Sequence, residues 1–275
     1  VRVLITNDDG VESPGLHALA AAALEQGWDV LVAAPAHESS GSSAAITSVQ
    51  HDGRVVADPR RLPGLAGAQC YAVQAAPAFI AFAASRGAFG AAPDLVLSGI
   101  NLGANVGRSV LHSGTLGAAI TGAMQGARAL AVSLDAVALD AATTRVSGEM
   151  WRAAAIGAGL ALPPLLAAPR GTVFNVNLPP TERPAVMLHR ATLARFGAVQ
   201  GHVDALTDGR LRVTTTRMEA EGGDGSDASL LADGLATITE VTWIREADTA
   251  RLPERVGPAA AEADTAAVSS ETGPV

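Results

Sequence analysis

VRVLITNDDG, residues 1–10, runs from an unbroken apolar stretch straight into Asn7, two adjacent carboxylates at Asp8 and Asp9, and Gly10. A strand without polar alternation is one buried on both faces, the habit of parallel sheets covered by helices. Asp-Gly is a common turn dipeptide, so a plain turn is one reading of this strand's end. The same rhythm continues outward. Ser13-Pro14 offers an N-cap and an N1 proline for a helix to about Gly27, and DVLVAAP (29–35) is the next strand. QCYAVQ (69–74), PDLVLSGI (93–100), ALAVSL (129–134) and TVFNVNLP (172–179) read as further strands. Helices are predicted at about 77–88, from about 115, and at about 150–162. This alternation predicts an α/β fold built of βαβ units around a mostly parallel sheet.

Beyond Pro180 the character changes. RLRVTTTRM (210–218) and LATITEVT (235–242) suggest antiparallel hairpins able to pair with another subunit. From about 247 the chain carries almost no large apolar side chains and is expected to be disordered. The predicted organisation is therefore a catalytic-type α/β domain over 1–180, a hairpin region over 181–246 that completes the fold, and a tail over 247–275.

Bulk composition removes several function classes. A net charge of −8 argues against a nucleic acid polymer as partner, since such binding relies on Lys and Arg neutralising phosphates. All 19 basic residues are Arg, so Schiff-base chemistry and a P-loop lysine are excluded. Cys70 is the single cysteine, which excludes a disulfide framework and a Cys-based zinc site and fits a cytoplasmic setting. The longest apolar run, 153–169, is broken by Pro163 and Pro164 and is shorter than a membrane span requires. It reads as a buried helix with its exit loop, and no membrane contact is expected.

In open parallel sheets ligands bind beyond the carboxyl ends of the strands. Three such loops carry unusual polar content: NDDG (7–10), the Ser/Gly segment HESSGSSAAITS (37–48), and SGINLGANVG (98–107). Adjacent side chains on a strand point to opposite faces, so Asp8 and Asp9 can converge only where the strand ends and Gly10 lets the backbone turn. Two close carboxylates repel unless a cation lies beside them, and hard oxygen donors favour Mg²⁺ or Mn²⁺. Ser40 and Asn101 are candidate neutral ligands at the other two strand ends, with a turn hydroxyl and an Asx-turn as their plain alternatives. Ser113, Gly114 and Thr115 stand at a predicted helix N-terminus, which is either a simple cap or a cradle for an anion. An acidic metal site facing such a terminus makes hydrolysis of a phosphate ester the economical reading.

The sequence resembles the SurE family, survival protein E, the metal-dependent 5'/3'-nucleotidases. The matching stretches are ITNDDGVESPG (5–15), AP and then SG at 34–41, SGINLGANVG (98–107), SGT (113–115), ALAVSL (129–134) and FNVNLP (174–179). Weaker matches are Ser226-Asp227 and GLATIT (234–239). The resemblance implies a Rossmann-like three-layer α/β/α sandwich with protruding C-terminal β-hairpins used to build homodimers or homotetramers. It also implies one divalent ion per subunit on Asp8, Asp9, Ser40 and Asn101. The implied reaction is hydrolysis of nucleoside monophosphates, sometimes also of short polyphosphate. Asp8 and Asp9 are the catalytic candidates, and Asn7, Gly41, Asn105, Ser113, Gly114 and Thr115 the candidate phosphate or substrate contacts.

Four positions depart from the family pattern: Phe79, Ser109 and Thr121 replace acidic residues, and His112 replaces a tyrosine. All four are expected to line or support the pocket. His112 either donates a proton to a leaving alkoxide or packs where tyrosine packs, and packing is the expectation. These substitutions also support an alternative, a non-catalytic oligomer that keeps the fold and binds metal or nucleotide.

Overall fold

The structure is a computed structural model that describes residues 1–136, 145–195, 199–205, 211–217, 225–242 and 244. The contacts divide the chain into a unit over Val1–Val241 and a second over Thr242–Val275. The expected tail, 247–275, lies outside the described residues.

In chain order the first unit runs β1 (Arg2–Thr6), α1 (Pro14–Glu25), β2 (Asp29–Pro35), β3 (Gln50–His51), β4 (Arg54–Val55), β5 (Ala57–Arg60), β6 (Gln69–Val73) and α2 (Pro77–Ser85). There follow β7 (Leu95–Leu102), a 3₁₀ turn (Gly107–His112), α3 (Gly114–Met124), β8 (Arg128–Leu134), α4 (Gly148–Gly159), α5 (Leu162–Ala167) and β9 (Val173–Leu178). The remainder is β10 (His189–Arg190), β11 (Val199–Ala205), β12 (Leu211–Arg217), α6 (Asp227–Ala232) and β13 (Thr237–Glu240). Nine strands form one sheet in the order β10-β13-β9-β8-β7-β1-β2-β6-β5. The central run from β9 to β6 is parallel throughout. This is the expected α/β, Rossmann-like fold.

Alternation along the strands sorts the core into two layers. Val3, Ile5, Val30, Val32, Leu95 and Leu97 face α1 and α4, with Leu16, Leu19 and Trp151 packed among them. Leu4, Leu31, Val96 and Ala129 face the other way, against Ile80 of α2 and Leu116 of α3. Both faces are covered, which is why VRVLIT carries no polar residue between Arg2 and Thr6.

Several expectations need adjustment. The segment 235–242 does not form a hairpin of its own: β13 inserts between β9 and β10, antiparallel to β9. β11 and β12 make a separate antiparallel ribbon, as expected for 210–218. The exit loop after α4 is instead the short helix α5, with its prolines in the first turn, where a missing N–H costs nothing. By length and composition Gly148–Ala167 could pass for a membrane span, but Trp151, Ala154, Ala158 and Leu165 are buried in the core against the sheet. The edge strand β5 and the β3–β4 hairpin were not foreseen.

Candidate metal and phosphate site

The strand register brings the polar loops together. Thr6 pairs with Ser98 on β7, so NDDG and Asn101 emerge side by side. The 37–43 loop is tied to the same corner by Ser39 N–H donating to the Asp8 carbonyl (2.8 Å) and Val11 N–H to the Pro35 carbonyl (2.9 Å). Asn7 holds the turn itself: its side-chain amide donates to Gly10 O (3.1 Å) and Ser13 Oγ (2.6 Å), and its Oδ1 accepts from Gly10 N (3.2 Å). Gly10 takes φ +100°, a left-handed conformation that other residues adopt only under strain.

These loops enclose a cavity of about 690 Å³. Its wall carries Asp8, Asp9, Ser40, Gly41, Asn101, Asn105 and Ser113, seven of the ten residues expected from sequence. The other three, Asn7, Gly114 and Thr115, lie buried behind it. Their position changes their chemistry. Thr115 Oγ1 donates to Asp8 Oδ1 at 2.5 Å, and the N–H groups of Gly114 and Thr115 also point to the Asp8 carboxylate. Ser113 caps the helix by accepting from Leu116 N (3.0 Å). The expected anion cradle at α3 is therefore filled by the protein's own carboxylate. Gly114 permits this approach, since a Cβ there would lie 2.7 Å from Asp8 Oδ2.

Burial pushes the Asp8 carboxyl up, against the opposing pull of Thr115 and the nearby N–H groups. Asp9 is pushed up to about 6, first by burial and then by the Asp8 charge, while the Leu102 N–H, 3.2 Å from Oδ2, works the other way and Glu38 adds repulsion. Asp8, Asp9, Glu12 and Glu38 all line the cavity, and no Arg does. The ion pairs Arg2–Asp29 and Arg170–Asp94 lie at the amino ends of the strands.

This arrangement fits a divalent cation. Like charges are held together on a wall that carries no Arg or Lys, and neutral oxygens stand beside them. Asn101 gives its Nδ2 to Gly103 O (2.7 Å), which leaves Oδ1 to face a cation, and Ser40 Oγ donates to Glu38 Oε1 (2.8 Å) with its lone pairs still available. Among the described residues no three His, Cys, Asp or Glu gather as metal ligands. Two carboxylates with neutral oxygens beside them would suit a hard cation such as Mg²⁺ or Mn²⁺.

Polar residues behind the cavity fix its wall. Asn105 N–H donates to Asn177 Oδ1 (2.8 Å), its Nδ2 to Ser133 Oγ (2.9 Å), and its carbonyl accepts from the amides of Asn175 and Asn177. Asp227 accepts from the N–H groups of Gly107, Ala194 and Ala228, anchoring the end of the 98–107 loop to α6. None of these partners had been given a role from sequence. The two asparagines of FNVNLP were readable, because residues two apart on a strand share a face. Trp151, Glu12 and Glu38 also line the cavity without having been foreseen.

The departures separate in space. Ser109 and His112 are exposed on the cavity wall. Phe79 and Thr121 are not on it, and the Thr121 hydroxyl donates back to Gly117 O (2.7 Å) within its own helix. The expectation that the His112 ring packs in the place of tyrosine is not met, because the ring faces solvent.

Comparison with known proteins agrees with this architecture. Residues 3–200 match the family described as Survival protein SurE. The chain belongs to the SurE family. A relative from Symbiobacterium thermophilum named 5'-nucleotidase SurE is 42% identical over 193 residues, spanning 69% of this chain and 70% of the relative. Another of that name from Methylocella silvestris is 34% identical over 248 residues, 87% of this chain and 92% of the relative. The crystal structure of SurE protein from Aquifex aeolicus superposes with a TM-score of 0.64 at 25% identity, covering 88% of this chain and 93% of that one.

Proposed function

We propose that this chain is a divalent-cation-dependent phosphomonoesterase that hydrolyses nucleoside 5'- or 3'-monophosphates to nucleoside and phosphate. The observation that carries the reading is the pair of adjacent carboxylates, buried Asp8 and half-buried Asp9, on a cavity wall that has no Arg or Lys. The substrate class follows from SurE relatives that carry the name 5'-nucleotidase.

Asp8, Asp9, Ser40 and Asn101 would hold the ion, which when bound polarises a phosphoryl oxygen and activates water for attack. The protein's own groups do the rest. Thr115 and the α3 N-terminus favour the charged form of Asp8 against the effect of its burial and fix it in one orientation. The Ser113 hydroxyl accepts from Leu116 N, so its proton is free to meet a phosphoryl oxygen in the cavity. Gly41 and Asn105 contribute the neighbouring wall. Half-buried, hydrogen-bonded Asn105 holds its place through Asn175, Asn177 and Ser133, which limits reorganisation when substrate enters.

The test is phosphate release from a panel of nucleoside 5'- and 3'-monophosphates by chelator-stripped protein, with and without Mn²⁺ or Mg²⁺. Metal-dependent release from at least one nucleotide is expected. No release with any substrate would favour the non-catalytic alternative.

A further inference from the structure

If the chain is the phosphomonoesterase proposed above, a departing nucleoside oxygen is a poor leaving group and needs a proton as the P–O bond breaks. The cavity wall has few groups able to give one. Its hydroxyls and amides are too weakly acidic, and its four carboxylates, Asp8, Asp9, Glu12 and Glu38, are better suited to holding a cation or repelling the product. The one imidazole on the wall is His112. Imidazole is the side chain that gives and takes a proton most readily near neutral pH.

The backbone carrying His112 is pinned at nearly every residue. Gly107 N donates to Asp227 Oδ2 (2.9 Å), Arg108 N to Ala194 O (3.1 Å), Ser109 Oγ to Val106 O (2.8 Å) and Ser113 N to Val110 O (3.1 Å). Leu111 O accepts from Ser43 Oγ (2.7 Å), which binds the turn to the loop across the cavity. The ring, by contrast, is exposed and has no hydrogen-bond or ion-pair partner among the described residues. Its place is close to the metal corner. His112 precedes Gly114 by two residues, so their Cα atoms are at most about 7.6 Å apart, and a Cβ on Gly114 would lie 2.7 Å from Asp8 Oδ2. A rigid backbone with an uncommitted ring on a substrate-sized cavity is what a proton donor needs. Ordinary packing would have buried the ring.

We propose that His112 is a catalytic residue that protonates the nucleoside oxygen as it leaves. The oxygen of water bonds to phosphorus, the ester P–O bond breaks, and the imidazolium proton passes to the departing oxygen, giving the nucleoside hydroxyl. The proton lost by the attacking water goes through the wall carboxylates to solvent, and the neutral imidazole regains a proton from solvent. The charged groups around it are Asp8, Asp9, Glu12 and Glu38 on the wall and the exposed Arg108 on its own turn.

The experiment compares wild type with His112→Gln on two substrates, a nucleoside monophosphate and 4-nitrophenyl phosphate, whose phenolate leaves without a proton. For the nucleotide, kcat is expected to fall roughly 10²–10⁴-fold. For the aryl ester it is expected to fall by less than about fivefold, because the metal corner is untouched. Equal losses on both substrates would assign His112 a positioning role and overturn the proposal, and so would no loss on either. A wild type inactive on both substrates with Mn²⁺ present would instead remove the phosphomonoesterase reading, and this proposal with it.

Discussion

Asp227 and Asp8 each sit almost out of solvent, 0% and 5% exposed, beside the first turn of a helix, and burial raises the carboxyl of both. At Asp227 both oxygens are spent: Oδ1 takes the N–H groups of Gly107, Ala194 and Ala228, and Oδ2 takes Gly107 again. At Asp8 the protein's donors gather from one side, the Thr115 hydroxyl and the start of α3, while the other side opens on the cavity beside a second carboxylate. Burial of a charge is common to the two. The difference lies in what meets the remaining lone pairs: a closed ring of N–H groups makes a staple, and an open face beside a like charge makes a place for a cation.

The largest effect that would sharpen this contrast is on turnover. Asp9→Asn is expected to lower kcat for phosphate release by roughly 10³-fold or more. The melting temperature of the metal-free protein should not fall, because the neutral amide no longer repels Asp8. Asp227→Ala should do the reverse. It strands three N–H groups that described partners now satisfy, at a cost of about 3 kcal/mol in stability, measurable by urea unfolding, while kcat at low temperature stays within about tenfold of wild type. An Asp227 variant that folds like wild type yet is inert would erase the distinction.

A smaller effect is expected at Thr115→Val, which keeps the shape but removes the hydroxyl that orients Asp8. Mn²⁺ affinity should weaken about 10–100-fold, and an unchanged titration would show that Asp8 needs no such partner. The smallest effect concerns pH. Asp9 rises from an ordinary 3.8 to about 6 in the metal-free fold. A raised carboxyl contributes stability that is complete below its unfolded value and lost as pH climbs through the folded one, so the metal-free protein weakens as pH rises from about 4 through about 6 and then levels off. Cation binding offsets that loss, and the gain in melting temperature on adding Mn²⁺ should be small at pH 5 and larger at pH 7.5. A gain that shrinks over the same interval would contradict the assignment of Asp9 as a ligand.

The parallel core and the polar strand ends were legible in the sequence for local reasons. Val3 to Ile5 declare burial on both faces, and NDDG declares a strand that stops in carboxylates. The ligand corner follows, because a parallel sheet places the ends of β1 and β7 together without any side-chain detail. What stayed hidden was pairing over long separations. That α3 would spend its N–H groups on Asp8, 106 and 107 residues earlier in the chain at Gly114 and Thr115, has no local signature. Nor did Asp227 announce that it would hold Gly107. β5 escaped notice because Pro59 speaks against a strand, yet it lies at the sheet edge, where a missing N–H is tolerated. The prolines of α5 misled for the opposite reason, since in a first turn they start a helix rather than end one.

The most direct measurement is titration of chelator-stripped wild type and Asp9→Asn with Mn²⁺, following the electron paramagnetic resonance signal of the free ion. One bound Mn²⁺ per chain in the wild type, lost in the variant, is the predicted result. No binding by the wild type, or equal binding by both proteins, would contradict the claim that Asp8 and Asp9 are held side by side to bind a cation.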